Sequence, residues 1–395
     1  MTPLSAPVSA PPLRVSIVAD LLAEGWPSMD LMAEMLMAEL SRHGESGVVA
    51  ELARPAFRNR LTPLVFGGDR QSTLTIDRIA HRYWDYPRWL RQRRSADVFH
   101  IVDHSYAHLA LELPPDRVVV TCHDTDAFRT LVVPESRESS LPRPLVARVL
   151  RGLRRAAVVA CDSQVTRDEL ERYGLVDVAR LTIVPIGVHP SCSPRTDGSA
   201  DARAHELVGD LPGPFLLHVG STIPRKRIDT LLDTFAGVVA ARPDITLVRV
   251  GGAFTREQCA QAQSLGIDSR IRVMPFIERP VLAALYRQSA LVLLTSEREG
   301  FGLPVVEAMA CGTPILVSDL PVLREVGGGA AEYVPVGEPE LWVRRVLALL
   351  EEREMPGLWD ARRAAGLDRA AMFSWSGYAD TMRSLYTRVA ERRAA

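Results

Sequence analysis

Glu299 and Glu307 bracket a glycine-bearing turn, E-G-F-G-L-P-V-V-E, and this is the stretch whose residue types most plainly offer chemistry. An apolar run at 290–294 precedes it and another at 314–317 follows, each short and aliphatic as a buried parallel strand is. Gly300 and Gly302 flank Phe301, and Pro304 occupies a position that a first helical turn tolerates, so the spacing predicts a helix over 303–310 closed by Gly312. A helix start presents unpaired N–H groups and the positive end of a dipole, which makes Gly300, Phe301, Gly302 and Leu303 a candidate diphosphate site. Glu299 lies in the loop, and Glu307 lies about one turn inside the helix, where its side chain still reaches a ligand edge. Carboxylates repel phosphate but accept hydrogen bonds from hydroxyls, so the pair suits a ligand with sugars on both sides of a diphosphate, a nucleotide-sugar. From spacing alone the two acids are read equally well as solvated helix-end carboxylates.

A second set of candidates is cationic. The apolar run F-L-L-H-V ends at Gly220, and S-T-I-P-R-K-R-I-D then leads into a helix whose start carries Arg225, Lys226 and Arg227. Cations at a helix start oppose the dipole, so a bound anion explains them better than an exposed helix end does. The segment 97–123 is rich in histidine. His100, His104 and His108 would form a metal face on a continuous helix, but His100 falls in a strand pattern and His104 in the loop after it, so no metal site is expected. His123 ends the apolar run 118–122, and the carboxyl ends of parallel strands place functional groups in a crevice; a satisfied core histidine is the other reading. Asp124 and Asp126 could ligate a divalent cation together with a diphosphate. The expectation is instead that Asp124 caps the following turn or positions His123, and that the diphosphate is neutralised by Arg225, Lys226 and the helix start.

The run E-G-F-G-L-P-x-x-E-A-M-A-C-G-x-P resembles the E-x7-E signature of family 4 retaining glycosyltransferases, which have the α/β GT-B fold of two facing Rossmann-like domains. The resemblance implies that Glu299 lies near a donor sugar, that Glu307 contacts the nucleoside ribose, and that the amides between them hold the phosphates. V-G-x-x-x-P-R-K, running on from Gly220, is similar to the family's diphosphate-binding segment, which implies that role for Arg225 and Lys226 and leaves Arg227 solvated. A histidine at the strand end lines the donor-sugar site in the family, and this carries to His123. The catalytic set implied is therefore His123, Glu299, Arg225 and Lys226, with neither cofactor nor metal. Two departures stand out: the first loop has Gly25 alone where a glycine pair is usual, so Gly25 is read as a turn residue, and His189 stands where aspartate is usual.

The activity implied is transfer of a hexose from a nucleoside-diphosphate sugar to an acceptor hydroxyl, with retention at the anomeric carbon. GDP-mannose and UDP-hexoses stay open as donors, with P-R-K pointing weakly to mannose; glycan, lipid-linked and small-molecule acceptors stay open too. Two rival classes fit the same residues. An epimerase or hydrolase on this fold would use Asp124 or Asp126 to move protons at the sugar ring, and a non-catalytic nucleotide-sugar sensor would need only the second-domain site.

The chain that must position these groups has 395 residues, too long for one core and suited to two domains. Its 47 basic and 48 acidic residues give no footprint of a nucleic-acid binder. Cys122, Cys161, Cys192, Cys259 and Cys311 lack metal-ligand spacing and fit buried thiols in a reducing cytoplasm. Residues 1–12 read as a disordered lead with no signal-peptide pattern, and no stretch is long and apolar enough to span a bilayer. A first Rossmann-like domain is expected over 13–190, a linker over 191–213, a nucleotide-sugar-binding domain over 214–373, and over 374–395 a helix beginning at F-S-W-S that the resemblance carries back to the first domain. Ser28 is read as the N-cap of a helix over 29–40. Two basic helices are expected, over 76–94 with aromatics and a break at Pro87, and over 143–155; they suit a membrane surface or an anionic acceptor, and equally a solvated face with snorkelling stems.

Overall fold

The computed structural model describes residues 11–42, 47–57, 70–133 and 142–394, so most of the expected disordered lead lies outside the described residues. The chain divides into two compact units, Met1–Pro185 with Trp375–Ala395, and Ile186–Ser374.

The first unit is built on six parallel strands: β1 Leu13–Val18, β2 Val48–Ala53, β3 Val98–Ile101, β4 Val118–Cys122, β5 Val158–Cys161 and β6 Leu181–Ile183, in the order β2-β1-β3-β4-β5-β6. The central strands V-F-H-I, V-V-V-T-C and V-V-A-C are buried at every position, as strands covered by helices on both faces must be. The second unit repeats the scheme with β7 Phe215–Val219, β8 Thr246–Val250, β9 Ile271–Met274, β10 Leu291–Leu294, β11 Ile315–Ser318 and β12 Glu332–Val334, in the order β12-β11-β10-β7-β8-β9. Its edge strand β9, I-R-V-M, buries only its two ends, because one side lacks a neighbour. In each sheet the strand order reverses once, between β1 and β3 and between β7 and β10, and an open parallel sheet binds ligands beyond the carboxyl ends at such a reversal.

Three local elements depart from expectation. The first helix starts at Pro27, not after a Ser28 cap: Met29 and Asp30 both donate to the Trp26 carbonyl, and proline at the first position loses nothing there. The basic helix expected over 76–94 is three pieces, Arg70–Ala80, a π-helical turn His81–Asp85, and Tyr86–Arg91. Pro87 cannot donate a backbone hydrogen bond, and the widened turn before it, with Tyr86 N–H reaching the His81 carbonyl, absorbs the mismatch and turns His81, Arg82 and Tyr83 inward. The stretch 191–213 is not a bare linker. Asp197 accepts from Ala200 N–H and caps a helix, Gly198–Val208, that belongs to the second unit and is tied to it by an Arg287–Asp201 ion pair at 2.5 Å.

Three cations of the first basic segment are engaged: Arg88 stacks on the exposed Trp84 at 3.7 Å, Arg93 on Trp89 at 4.1 Å, and Arg91 pairs with Glu112 at 2.7 Å. No helix among the described residues is long and apolar enough to cross a membrane. Cys122, Cys161 and Cys311 are buried free thiols, whereas Cys259 is exposed on the helix Arg256–Ser264.

The terminal helix, Trp375–Ala394, packs in the first unit. Tyr386 hydroxyl lies 2.7 Å from His100 Nδ1 on β3, and Arg383 donates to the Glu39 carbonyl at 3.0 Å. Helix Arg143–Arg155, present over the expected residues, meets the 3-10 segment His104–Glu112 so closely that a Cβ at Gly152 would lie 1.9 Å from the Ala107 carbonyl oxygen. Backbone cannot yield there cheaply, so Gly152→Ala is expected to cost about 3 kcal/mol in urea unfolding; a loss below about 1 kcal/mol would show that the contact is not tight.

Candidate functional site

At the reversal in the second sheet, two loops leave adjacent strands. From β7 the chain passes Gly220, makes a 3-10 turn at Pro224–Lys226, and enters the helix Ile228–Ala241. From β10 it passes Thr295 and Ser296 to Gly302 and the helix Leu303–Ala310, with Pro304 in its first turn. Gly302 is required there: its φ is 91°, and a Cβ would meet Leu323 Cδ2 at 2.6 Å. Bonds to backbone carbonyls sew the loops together, Thr295 Oγ1 donating to the Lys226 carbonyl at 3.0 Å and Glu297 N–H to the Arg225 carbonyl at 2.8 Å.

This stitching brings Arg225, Lys226 and Glu299 into one cluster. Lys226 Nζ lies 2.6 Å from Glu299 Oε1, Arg225 Nη1 lies 3.4 Å from Oε2, and Ser296 hydroxyl donates to Oε1 at 2.7 Å. Burial works to raise the Glu299 pKa, but Lys226 and then Arg225 outweigh it and hold the carboxyl below its ordinary range. Arg227 turns away to Asp229 at 2.7 Å and Glu297 at 3.7 Å. Glu307 is separate from the cluster: it accepts from Tyr286 hydroxyl at 2.9 Å, and burial raises its pKa. Phe301 is buried edge-on to Phe373 at 5.6 Å, so its side chain anchors the loop and only its backbone is offered to a ligand.

In the first unit His123 sits at the end of β4. Its Nδ1 is 2.5 Å from Asp162 Oδ2 and its Nε2 is 2.8 Å from the Val102 carbonyl. Burial opposes a charge on the ring, yet Asp162, helped by Asp103 and the carbonyl, raises the pKa to about 9. A ring that donates from both nitrogens is a positioned cation and cannot serve as a base. The other histidines do not share a face: His100 contacts Tyr386 and Thr121 at 2.7 Å each, His104 Nδ1 accepts from His123 N–H at 3.3 Å, and His108 Nε2 is 2.9 Å from the Arg82 carbonyl. Asp124 Oδ1 accepts from Asp126 N–H at 3.1 Å, the turn-capping role expected of it.

Two family models match the chain, Glycosyltransferase Family 4 over residues 32–191 and Glycosyl transferases group 1 over residues 206–363. The chain belongs to glycosyltransferase family 4. Among curated relatives it is 32% identical over 281 residues to a D-inositol 3-phosphate glycosyltransferase of Segniliparus rotundus, covering 68% of this chain and 60% of that one. A protein of the same description from Streptosporangium roseum is 32% identical over 289 residues, covering 68% and 63%. The match thus spans less than two thirds of those relatives' length. Among solved structures, sucrose-phosphate synthase from Thermosynechococcus elongatus superposes with a TM-score of 0.74 at 17% identity, over 95% of this chain and 99% of that one. HepE from Anabaena, solved in complex with UDP and glucose, superposes with a TM-score of 0.72 at 16% identity, over 95% and 100%. The fold is that of the GT-B glycosyltransferases.

Within this family 4 chain the structure adds residues that the sequence reading passed over. Asp162 follows β5 as His123 follows β4, and the in-register pair Cys122↔Cys161 places the two side by side; strand-end position was the available signal. Asp20, fully buried at the end of β1 with neither oxygen hydrogen-bonded, has its pKa pushed to about 7 by burial, Asp103 and Asp30, with Arg54 pulling the other way. Arg82 is buried by the π-turn over the Tyr106 ring at 4.2 Å and 3.6 Å from Glu24, a placement that the pattern of a surface helix hides. The His123–Asp162 pair generates a pH prediction. Because the His123 pKa is raised from 6.5 to about 9, the stability it supplies is present in full below pH 6.5 and lost as pH rises through about 9. Ring resonances of His123 are expected to titrate near 9 in the native protein and near or below about 7 in Asp162→Asn; an unchanged titration in the variant would remove Asp162 as the cause.

Proposed function

We propose that the protein transfers a hexosyl group from a nucleoside-diphosphate sugar to an acceptor hydroxyl, with retention at the anomeric carbon. The observation that carries this reading is the pairing of Arg225 and Lys226 with the single carboxylate of Glu299, at the strand reversal and beside a helix start. Cations gathered at a loop beside a helix start are the groups that a diphosphate engages. The donor class is supported by the Anabaena neighbour, also solved in complex with UDP-glucose, and a hydroxyl acceptor by relatives whose name is D-inositol 3-phosphate glycosyltransferase.

In the proposed reaction the bond from the anomeric carbon to the diphosphate oxygen breaks, and a bond to the acceptor oxygen forms on the same face. The acceptor proton passes to the leaving phosphate oxygen, so no protein nucleophile or base is needed. Charge grows on the leaving group, and Arg225, Lys226 and the backbone of Gly300, Phe301, Gly302 and Leu303 stabilise it. Glu299, exchanged off Lys226 by the phosphate, accepts from sugar hydroxyls, and Glu307, held by Tyr286, accepts from the ribose. His123 contributes a fixed positive charge at its own strand end. With these cations present the reaction needs no metal ion.

Lys226→Ala is expected to lower kcat by about 10²–10³, with a smaller change in donor KM, because the lost charge matters most as the leaving group forms. Transfer by the native protein is expected to survive exhaustive EDTA treatment. Wild-type turnover in the variant, or activity that EDTA abolishes and Mn²⁺ restores, would contradict the phosphate-clamp assignment.

A further inference from the structure

Arg249 lies at the fourth position of β8, between β7 and the edge strand β9 of the second sheet, and is fully buried. A charged side chain inside T-L-V-R-V reads as a solvent-facing position, yet no carboxylate among the described residues sets its charge off; burial is what lowers its pKa, to about 10, which leaves it protonated at neutral pH. Its in-register neighbour on β7, His218, is also fully buried, and burial followed by Arg249 and Lys226 lowers the His218 pKa to about 3, so this neighbour is a neutral ring. A buried, uncompensated cation is costly, and its hydrogen bonds show what it does.

The guanidinium fans out to the two glycine loops at the carboxyl end of the sheet. Nη2 donates to the Gly220 carbonyl at 2.8 Å and to Gly251 at 3.4 Å, Nη1 donates to the Gly252 carbonyl, and the Phe254 ring lies 5.3 Å away. The loops touch directly. Gly251 has a φ of 131°, and a Cβ there would lie 1.9 Å from the Gly220 carbonyl oxygen, so no other residue fits. Over Gly220 runs the stem of Lys226, whose Cδ and Cε would be 3.7 Å from an added Cβ, and that stem ends on Glu299. A continuous chain of contacts therefore runs from Arg249 through Gly220 to Lys226 and Glu299.

We propose that Arg249 is a positioning residue for donor binding: it fixes the Gly220 loop beneath Lys226 and adds buried positive charge that a nucleoside diphosphate compensates. The inference rests on the reading of this site as a diphosphate site. It also explains why a charge with no carboxylate partner among the described residues is kept in the sheet, since the compensating charge arrives with the ligand.

Calorimetry with UDP and GDP, and the rise in melting temperature each produces, test it. The native protein is expected to bind one of the two; binding of neither would overturn the diphosphate reading itself and with it this proposal. Arg249→Met is expected to lose about tenfold or more in affinity and most of the ligand-induced rise in melting temperature. Arg249→Lys, which keeps the charge but not the fork, is expected to fall between. Leu247→Ala, a cavity variant on the same buried strand, controls for general loosening: it is expected to lower the melting temperature of the free protein while holding affinity within about twofold. If the methionine variant does not fold, the lysine variant and the control decide. Affinity kept within about twofold in Arg249→Lys and Arg249→Met, or lost equally in Leu247→Ala, would overturn the role of Arg249 while leaving the diphosphate site in place.

Discussion

Lys226 and Arg225 share Glu299, and the two loops of the second unit are arranged around that contact. Burial alone would push this carboxyl's pKa up, and two cations so close would repel without the carboxylate. Each half of the cluster therefore depends on the other. In the proposed reaction a bound diphosphate takes over these cations from Glu299, exchanging one ion pair for another.

The sheet supplies the geometry for this exchange. β7 and β10 are hydrogen-bonded neighbours although far apart in sequence, so their loops emerge side by side, and Thr295 and Glu297 bind the carbonyls of Lys226 and Arg225 directly. The first unit uses the same reversal with a different set of groups. There Asp20 and Asp103 stand at the ends of β1 and β3, and His123 is held between Asp162 and the Val102 carbonyl. Two sheets of one topology thus each gather paired cations and carboxylates at their strand ends.

Much of this was legible in the residues. Short aliphatic runs marked the strands because both faces are covered, and E-G-F-G-L-P marked a loop that only glycine can turn into a helix start. What escaped depends on tertiary context. Pro87 announced a break, but whether the chain bends, ends or widens into a π-turn is decided by what Arg82 and Tyr83 pack against. Asp197-Gly198-Ser199 has the composition of a turn and of a helix cap alike, and the packing of the helix it starts chose between them. Arg249 was hidden for the reverse reason: alternation within a strand says which face a residue takes, not whether a neighbouring loop covers that face.

The most direct test of the account is a crystal structure of the protein soaked with UDP-glucose or GDP-mannose. The account predicts a diphosphate at the reversal of the second sheet, with a phosphate oxygen about 3 Å from Lys226 Nζ and the Glu299 carboxylate turned from the lysine to the sugar hydroxyls. A bound nucleotide-sugar whose phosphates lie elsewhere, with the Lys226–Glu299 pair unbroken, would contradict it.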